Sequence, residues 1–129
     1  MTANLELFNS LFEFAKKAIG YDTYDSLPTK QVPYPFIVLD NMEDSQVNLK
    51  TDVVGRTAIT VHIWGSEEMR SEVTNAMGKL LLTKEIESAN YRFQTRYNKN
   101  ISQIINDTSV ANTKLIHGIA TLVFDWFKK

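Results

Sequence analysis

The stretch that decides the fold is TAITVHIW, residues 57–64. Its isoleucines and valine alternate with Thr60, His62 and Trp64, so the apolar side chains share one face of an extended chain. A period of two is typical of a strand with one buried face. We therefore predict a strand here, paired with the preceding strand as an antiparallel hairpin.

Further strand patterns lie on both sides of this stretch. Before it, the run PFIVL at 35–39 predicts a buried strand, and the proline-containing connection 21–34 has room for one short edge strand. After it, residues 91–97 alternate aromatic with basic or polar side chains, which predicts a half-buried strand rather than a base-stacking surface. A shorter strand is expected around 101–105 and a final long one over 115–126.

Two helices complete the pattern. Two rows of apolar residues at helical spacing predict the first over Leu5–Ile19, with Asn4 as N-cap and Gly20 at its end. The second is expected to begin at Ser66 as N-cap. Gly78, inside that helix, is interpreted as permitting close approach to the sheet. The buried stripe of the second helix consists of Met69, Val73, Ala76, Met77 and Leu80.

The order of these elements predicts the fold class. Helix, strands, helix and strands indicate a single small α+β domain over residues 1–129, with an antiparallel-rich sheet and two helices packed on one face. Between the two hairpin strands, residues 41–56 are too polar for a core and lack a helical period. We predict a long polar loop or β-arm there, and connections of that length are frequently functional.

Composition narrows the classes of function. The chain has 14 Lys and Arg against 15 Asp and Glu, a net charge of −1, which argues against a dedicated DNA-binding protein. It has no Cys, so disulfides and thiol chemistry are excluded. No apolar run is long enough to span a membrane and no secretory leader is recognisable, so we expect a protein made and kept inside a cell.

The residues that could carry chemistry form no recognisable catalytic or metal pattern. His62 and His117 lie in predicted strands and could face each other, but two imidazoles without a third ligand make a poor zinc site, so structural roles are expected. The five glycines never cluster into a phosphate-binding loop. We predict a non-enzymatic protein without cofactor or metal. Two alternatives remain, an enzyme using either histidine as acid or base, and a host ligand-binding domain with an aromatic pocket.

Several segments together resemble the tail terminators, or tail-to-head joining (tail completion) proteins, of long-tailed phages. The resemblance spans nearly the whole chain. It is carried by the strand Tyr34–Val38, the variable polar connection, the strand Thr60–Trp64 ending at Gly65-Ser66, the amphipathic helix, and the C-terminal strand Ile119–Asp125.

The resemblance implies a non-enzymatic assembly protein at the head-proximal end of the virion tail. Such a protein forms a ring, expected to be a hexamer, that caps the tail tube, stops its polymerisation and presents the head-docking surface. Its partners would be its own copies, the tail tube protein and head connector proteins, with at most non-specific contact to DNA in the lumen and none to a membrane. It would assemble in the host cytoplasm. A head-completion or minor tail protein is the nearest alternative.

The polar segment supplies the expected interface. Within it, Val47 and Leu49 are predicted to contact a neighbouring subunit, and Lys50 and Arg56 are the candidates to face DNA. The full set of predicted interface residues is Glu43, Asp44, Gln46, Val47, Asn48, Leu49, Lys50 and Arg56.

Overall fold

The computed structural model describes residues 2–46 and 55–129. These residues form a single small α+β domain in which two helices pack on a curled, mostly antiparallel sheet of seven strands. The predicted fold class is thereby confirmed.

The elements follow the chain in the expected order. The helices are α1 (Ala3–Phe14), extended by a π-helical turn at Ala15–Ile19, and α2 (Arg70–Leu81). A short 3-10 turn, Tyr97–Lys99, precedes the sixth strand. The strands are β1 (Asp22–Tyr24), β2 (Phe36–Gln46), β3 (Gly55–Ser66), β4 (Glu85–Glu87), β5 (Tyr91–Thr95), β6 (Ile101–Asp107) and β7 (Leu115–Lys128).

The long strand β7 organises the sheet. It pairs with β3 along one side, and on its other side it pairs with β5 near its end and with β6 near its start. The main path of the sheet runs β1-β2-β3-β7-β5-β4, and every pair is antiparallel except β1 with β2. Within the described ranges, β6 pairs with β7 alone.

The two faces of the sheet differ in what covers them. One face packs against both helices, and its apolar side chains form a single core with theirs, including the fully buried Ile59, Leu122 and Phe124. The opposite face carries His62 and His117 and is called the open face below. The alternation predicted for residues 57–64 is confirmed, because the strand is alternately buried and half-buried along its length.

The first helix begins earlier than predicted. Thr2, not Asn4, is its N-cap, since the Thr2 hydroxyl accepts a hydrogen bond from the Leu5 amide at 3.2 Å. Asn4 lies inside the helix, where its side-chain amide donates to Asp44 on β2 at 3.0 Å. At the other end Gly20, with φ of 90°, adopts the left-handed conformation that commonly terminates a helix. The predicted stop at Gly20 is confirmed.

The second helix begins later than predicted. Ser66 is the last residue of β3, paired with Leu115, and makes no helix cap. Continued strand pairing therefore overrides the capping preference of this serine, and the helix starts at Arg70. Four of the five residues in the predicted stripe are buried as expected, while Met69 precedes the helix and is half-buried.

The close approach of helix to sheet is made by strand glycines rather than by Gly78. A Cβ added at Gly78 would meet no atom within 4 Å, so the interpretation of that glycine was wrong. A Cβ at Gly118 would instead lie 3.0 Å from Val73 Cγ1, and one at Gly65 would lie 2.7 Å from Val73 Cγ2. Gly65 on β3 and Gly118 on β7 therefore allow α2 to pack closely against the sheet.

The strand boundaries refine the sequence-based predictions. The short edge strand in the connection 21–34 is β1, and the predicted strand 101–105 extends to Asp107. The strand predicted over 91–97 ends at Thr95, because the chain turns at 97–99 to begin β6. β4 was not predicted, since a three-residue strand with two glutamates gives no periodic signal. None of the helices in the described part of the chain has the length and apolarity needed to cross a membrane.

Candidate functional site

The polar segment predicted as a loop or β-arm continues the hairpin strands for part of its length. Residues 41–46 belong to β2, and residues 55–56 begin β3. Among the predicted interface residues, Glu43, Asp44 and Arg56 therefore lie on paired strands, and Gln46 ends β2. The remaining four, Val47, Asn48, Leu49 and Lys50, lie outside the described residues.

Asp44 ties the hairpin to the first helix at the end next to the polar segment. One carboxylate oxygen accepts a hydrogen bond from the Thr57 hydroxyl at 2.6 Å, and the other accepts from the Asn4 side chain at 3.0 Å. Both oxygens thus have partners within the chain. Glu43, paired with Ala58 on the opposite face, is exposed. Both acidic residues are exposed, and within the described part of the chain hydrogen bonds are seen for the Asp44 carboxylate.

Arg56 belongs to an ionic cluster on the open face. Its Nε donates to Asp125 Oδ1 at 2.8 Å, and Arg96 donates to the other oxygen of Asp125 at 2.7 Å. Asp125 is only 8% exposed, whereas each arginine side chain is about one-third exposed. Two guanidinium groups on one carboxylate leave a local excess of one positive charge. Arg56 therefore offers any phosphate a charge that is already partly neutralised.

A second polar cluster crosses the open face from β2 to β6. His62 Nδ1 and His117 Nε2 lie 2.8 Å apart, as expected for diagonal neighbours on paired strands. Asp40 Oδ2 lies 3.2 Å from His62 Nε2, and Asp107 Oδ2 lies 3.3 Å from His117 Nδ1. The Asp107 contact has the distance of an ion pair but not the alignment of a hydrogen bond, so His117 Nδ1 has no hydrogen-bond partner.

When both imidazole rings are neutral, the two histidines and their two carboxylates cannot make all of their mutual hydrogen bonds. Two neutral imidazoles carry two ring hydrogens, one each. Three hydrogens are needed to bridge the rings and to face both carboxylates. With one hydrogen on each ring, at least one of these three contacts lacks a hydrogen, in agreement with the unpartnered Nδ1 of His117.

Burial disfavours the charged form of His117. It lowers the pKa of His117, with His62 acting in the same direction and Asp107 opposing both. The indole of Trp64 stacks on the His117 ring with centroids 3.6 Å apart, which contributes to that burial. The pKa of Asp107 is also lowered, chiefly by hydrogen bonds from the side chain and backbone of Ser109. Asp107 is thus held ionised beside a neutral imidazole.

The two ring nitrogens that face each other, His62 Nδ1 and His117 Nε2, are engaged in their mutual contact. Across residues 2–46 and 55–129, no three His, Cys, Asp or Glu side chains converge as metal ligands. The predicted facing of the two histidines is confirmed. Their carboxylate partners were not predicted, because they come from the end of β6 and from the irregular pairing of β2 that follows Leu39.

Next to the histidine pair lies a cavity of about 280 Å³. A smaller one of about 200 Å³, which includes Asp40 and His62, shares Leu27 and Trp64 with it. Most of the larger cavity's wall is apolar or aromatic. Its lining includes Leu27, Tyr34, Phe36, Trp64, Val110 and Leu115.

The open face ends at β6, where apolar side chains are exposed. Ile101 is 68% exposed and Ile105 is 39% exposed, while Ile104 points to the other face and packs against the core. Two isoleucines on one face of a strand would ordinarily indicate a buried face. The sequence therefore predicted the strand correctly but could not reveal that no element within residues 2–46 and 55–129 covers it.

Comparison with known proteins adds no relative. No protein-family model matches the chain, and no curated protein matches it.

Proposed function

We propose that this protein is a non-enzymatic virion assembly protein that caps a phage tail tube as a ring, stops tail polymerisation and provides the head-docking surface. The proposal rests on the resemblance described for the sequence. It is supported by one structural observation: the resembling strands β2 and β3 form a long hairpin whose far end carries the polar segment. A hairpin anchored at its base and polar at its tip suits contact between subunits.

The anchoring of the hairpin matters for this role. Asp44 fixes β2 to α1, and the Arg56–Asp125 pair fixes β3 to β7, so the strand ends next to the polar segment are held on both faces of the sheet. A preorganised base reduces the ordering cost when copies associate. Under the proposal, the ring and its docking surface form from such repeated contacts, and the histidine cluster has a structural role.

Electron microscopy of particles from the source phage with this gene deleted tests the proposal. In lysates of the infected host we expect tails of uncontrolled length beside unattached, DNA-filled heads. Tails of normal length that fail to join heads would transfer the role to a head-completion or joining protein. Fully assembled infectious particles would refute an assembly role.

A complementation experiment tests the predicted interface. Replacing Val47 and Leu49 together with Ser should leave the thermal stability of the isolated subunit nearly unchanged while failing to restore tails of correct length. The matched control replaces Leu5 and Leu82, exposed apolar residues outside the polar segment, with Ser. A large loss of stability in the Val47/Leu49 variant would place those residues in the core and contradict the prediction.

The cavity beside Trp64 favours a second candidate, a ligand-binding domain. Its aromatic and apolar wall suits a small apolar or aromatic molecule. Native mass spectrometry of the purified protein distinguishes the candidates, since a ligand-binding domain would retain a small molecule that Trp64→Ala releases. If the measured mass is that of the chain without a bound molecule, and the gene deletion gives the phenotype described above, only the assembly role is supported.

A further inference from the structure

The edge of β6 lacks the features by which sheet proteins protect an exposed strand. Exposed edges usually carry a lysine, a proline, a bulge or only a few residues. β6 has seven residues, pairs with β7 without a bulge, and has no charge or proline from Ile101 to Asn106. Its outer backbone groups and its exposed isoleucines are therefore available to another strand.

Exposed apolar surface is concentrated at this edge. Seven large hydrophobic side chains are exposed in the described part of the chain, and four of them lie between residues 97 and 110. Ile101 and Ile105 lie on the open face of β6, and Tyr97 and Val110 flank its two ends. These four exposed side chains are together called the β6 strip below.

The other two sheet edges do not match the β6 strip. β1 and β4 have three residues each, and β4 contains the exposed Glu85 and Glu87. A carboxylate placed opposite an exposed isoleucine would lose hydration without gaining a partner. A strand that fits must be uncharged over about five residues and must bring apolar side chains to the face of Ile101 and Ile105. β6 itself is uncharged from Ile101 to Asn106 and carries these two isoleucines on one face.

We infer that β6 pairs with β6 of a second copy, antiparallel across a two-fold axis that passes through Gln103. In this register Ile101 of each copy faces Ile105 of the other, so four isoleucines meet on the open face. The two-fold axis also brings the Tyr97 end of one strip to the Val110 end of the other. The alternative register, centred on Ile104, would place Asp107 opposite Ile101 and is disfavoured for that reason.

The pairing closes on itself. In an isologous contact both edges are consumed, so assembly through β6 stops at two copies. It cannot by itself build a cyclic ring, and it therefore goes beyond the proposed function and does not depend on it. The pair is the state we assign to the free protein.

Cysteine cross-linking tests the register directly, because the chain has no native Cys. Facing residues on antiparallel strands have Cα atoms about 4.5–5.5 Å apart, within the range that a disulfide spans. Gln103→Cys should therefore form a covalent dimer under mild oxidation. The neighbouring exposed position, Ser102→Cys, faces residue 104 of the other copy and should cross-link at least tenfold more slowly.

The mass of the unmodified protein in solution provides the second readout. Light scattering during gel filtration should give twice the 14.8 kDa of the chain, with dissociation on dilution. Ile101→Lys should give the monomer, because a charge on the strip opposes pairing. The control is Leu82→Lys, which places the same charge on a side chain that is 76% exposed and distant in sequence from β6.

The possible results distinguish a β6 pair from a monomer and from other kinds of association. A dimer that Ile101→Lys dissociates and Gln103→Cys traps establishes the pairing. A monomer at the highest soluble concentration that Gln103→Cys fails to trap would overturn it. So would equal cross-linking at positions 102 and 103, aggregates that grow without stopping at two copies, or dimers that persist in Ile101→Lys. None of these results depends on whether the gene deletion alters phage tails.

Discussion

Replacing Gly118 with Ala measures how closely α2 packs on the sheet. The added Cβ would lie 2.9 Å from Met77 Sδ and 3.0 Å from Val73 Cγ1, both closer than ordinary contact. The methionine sulfur can rotate away, whereas Val73 is β-branched, fully buried and fixed by its helix. The helix must therefore shift or the valine must leave its rotamer.

The free-energy change follows from two opposing effects. Overpacking a well-filled core costs about 1–3 kcal/mol. Removing the backbone freedom of a glycine from the unfolded chain returns about 0.4–1 kcal/mol. The net loss should be about 1–2 kcal/mol, which lowers the melting temperature of a domain of this size by about 4–8 °C.

Gly78→Ala is the matched control, because its added Cβ meets open space. It should raise stability by about 0.5–1 kcal/mol through helix propensity alone. Calorimetry or urea unfolding of both variants provides the measurement. Combining Gly118→Ala with Val73→Ala should cost less than the sum of the single changes, because the smaller side chain removes the clash. Full additivity, or a Gly118→Ala protein as stable as the parent, would refute the packing argument.

Two further predictions concern the polar clusters of the open face. Because the pKa of His117 is lowered in the folded state from 6.5, the unfolded chain binds more protons below that value, so unfolding free energy should fall as pH drops below about 6.5. His117→Gln should flatten that dependence in urea titrations, and an unchanged slope would contradict it. Asp125→Asn removes the negative charge and one of the two acceptor oxygens that Arg56 and Arg96 share, and since both arginines are partly solvated we expect a loss of about 2 kcal/mol. The exposed Lys17–Glu13 pair supplies the control, because Glu13→Gln should change the stability far less, and equal losses would contradict a special contribution from Asp125.

The strands could be predicted from sequence because the sheet has one buried face. Along β3 and β7 that arrangement forces apolar residues to alternate, and the pattern is visible in residues 57–64 without any knowledge of partners. The failures lie where two local preferences compete. Ser66 has the chemistry of a helix cap, but its pairing with Leu115 extends β3 and delays α2 until Arg70.

The polar clusters could be predicted only in part. The two histidines were recognised as possible neighbours, but their contact depends on the register that places Trp64 opposite His117. Their carboxylate partners come from strands far apart in sequence, and Asp125 gave no signal because an aspartate near the end of a strand usually lies in solvent. Long-range register, not local pattern, determines which charges meet.

The two clusters also explain why the edge of β6 is presented as a formed strand. Before β6, Arg96 is bound to Asp125, and the Asn100 side chain accepts a hydrogen bond from the Val123 amide at 2.9 Å. At its other end, Asp107 is held by Ser109 and faces His117. The strand is therefore fixed to β7 at both ends as well as by its own pairing. A partner strand therefore meets an edge that is already ordered. The conformational entropy of β6 is lost when the chain folds, so little of it remains to be lost when two copies associate.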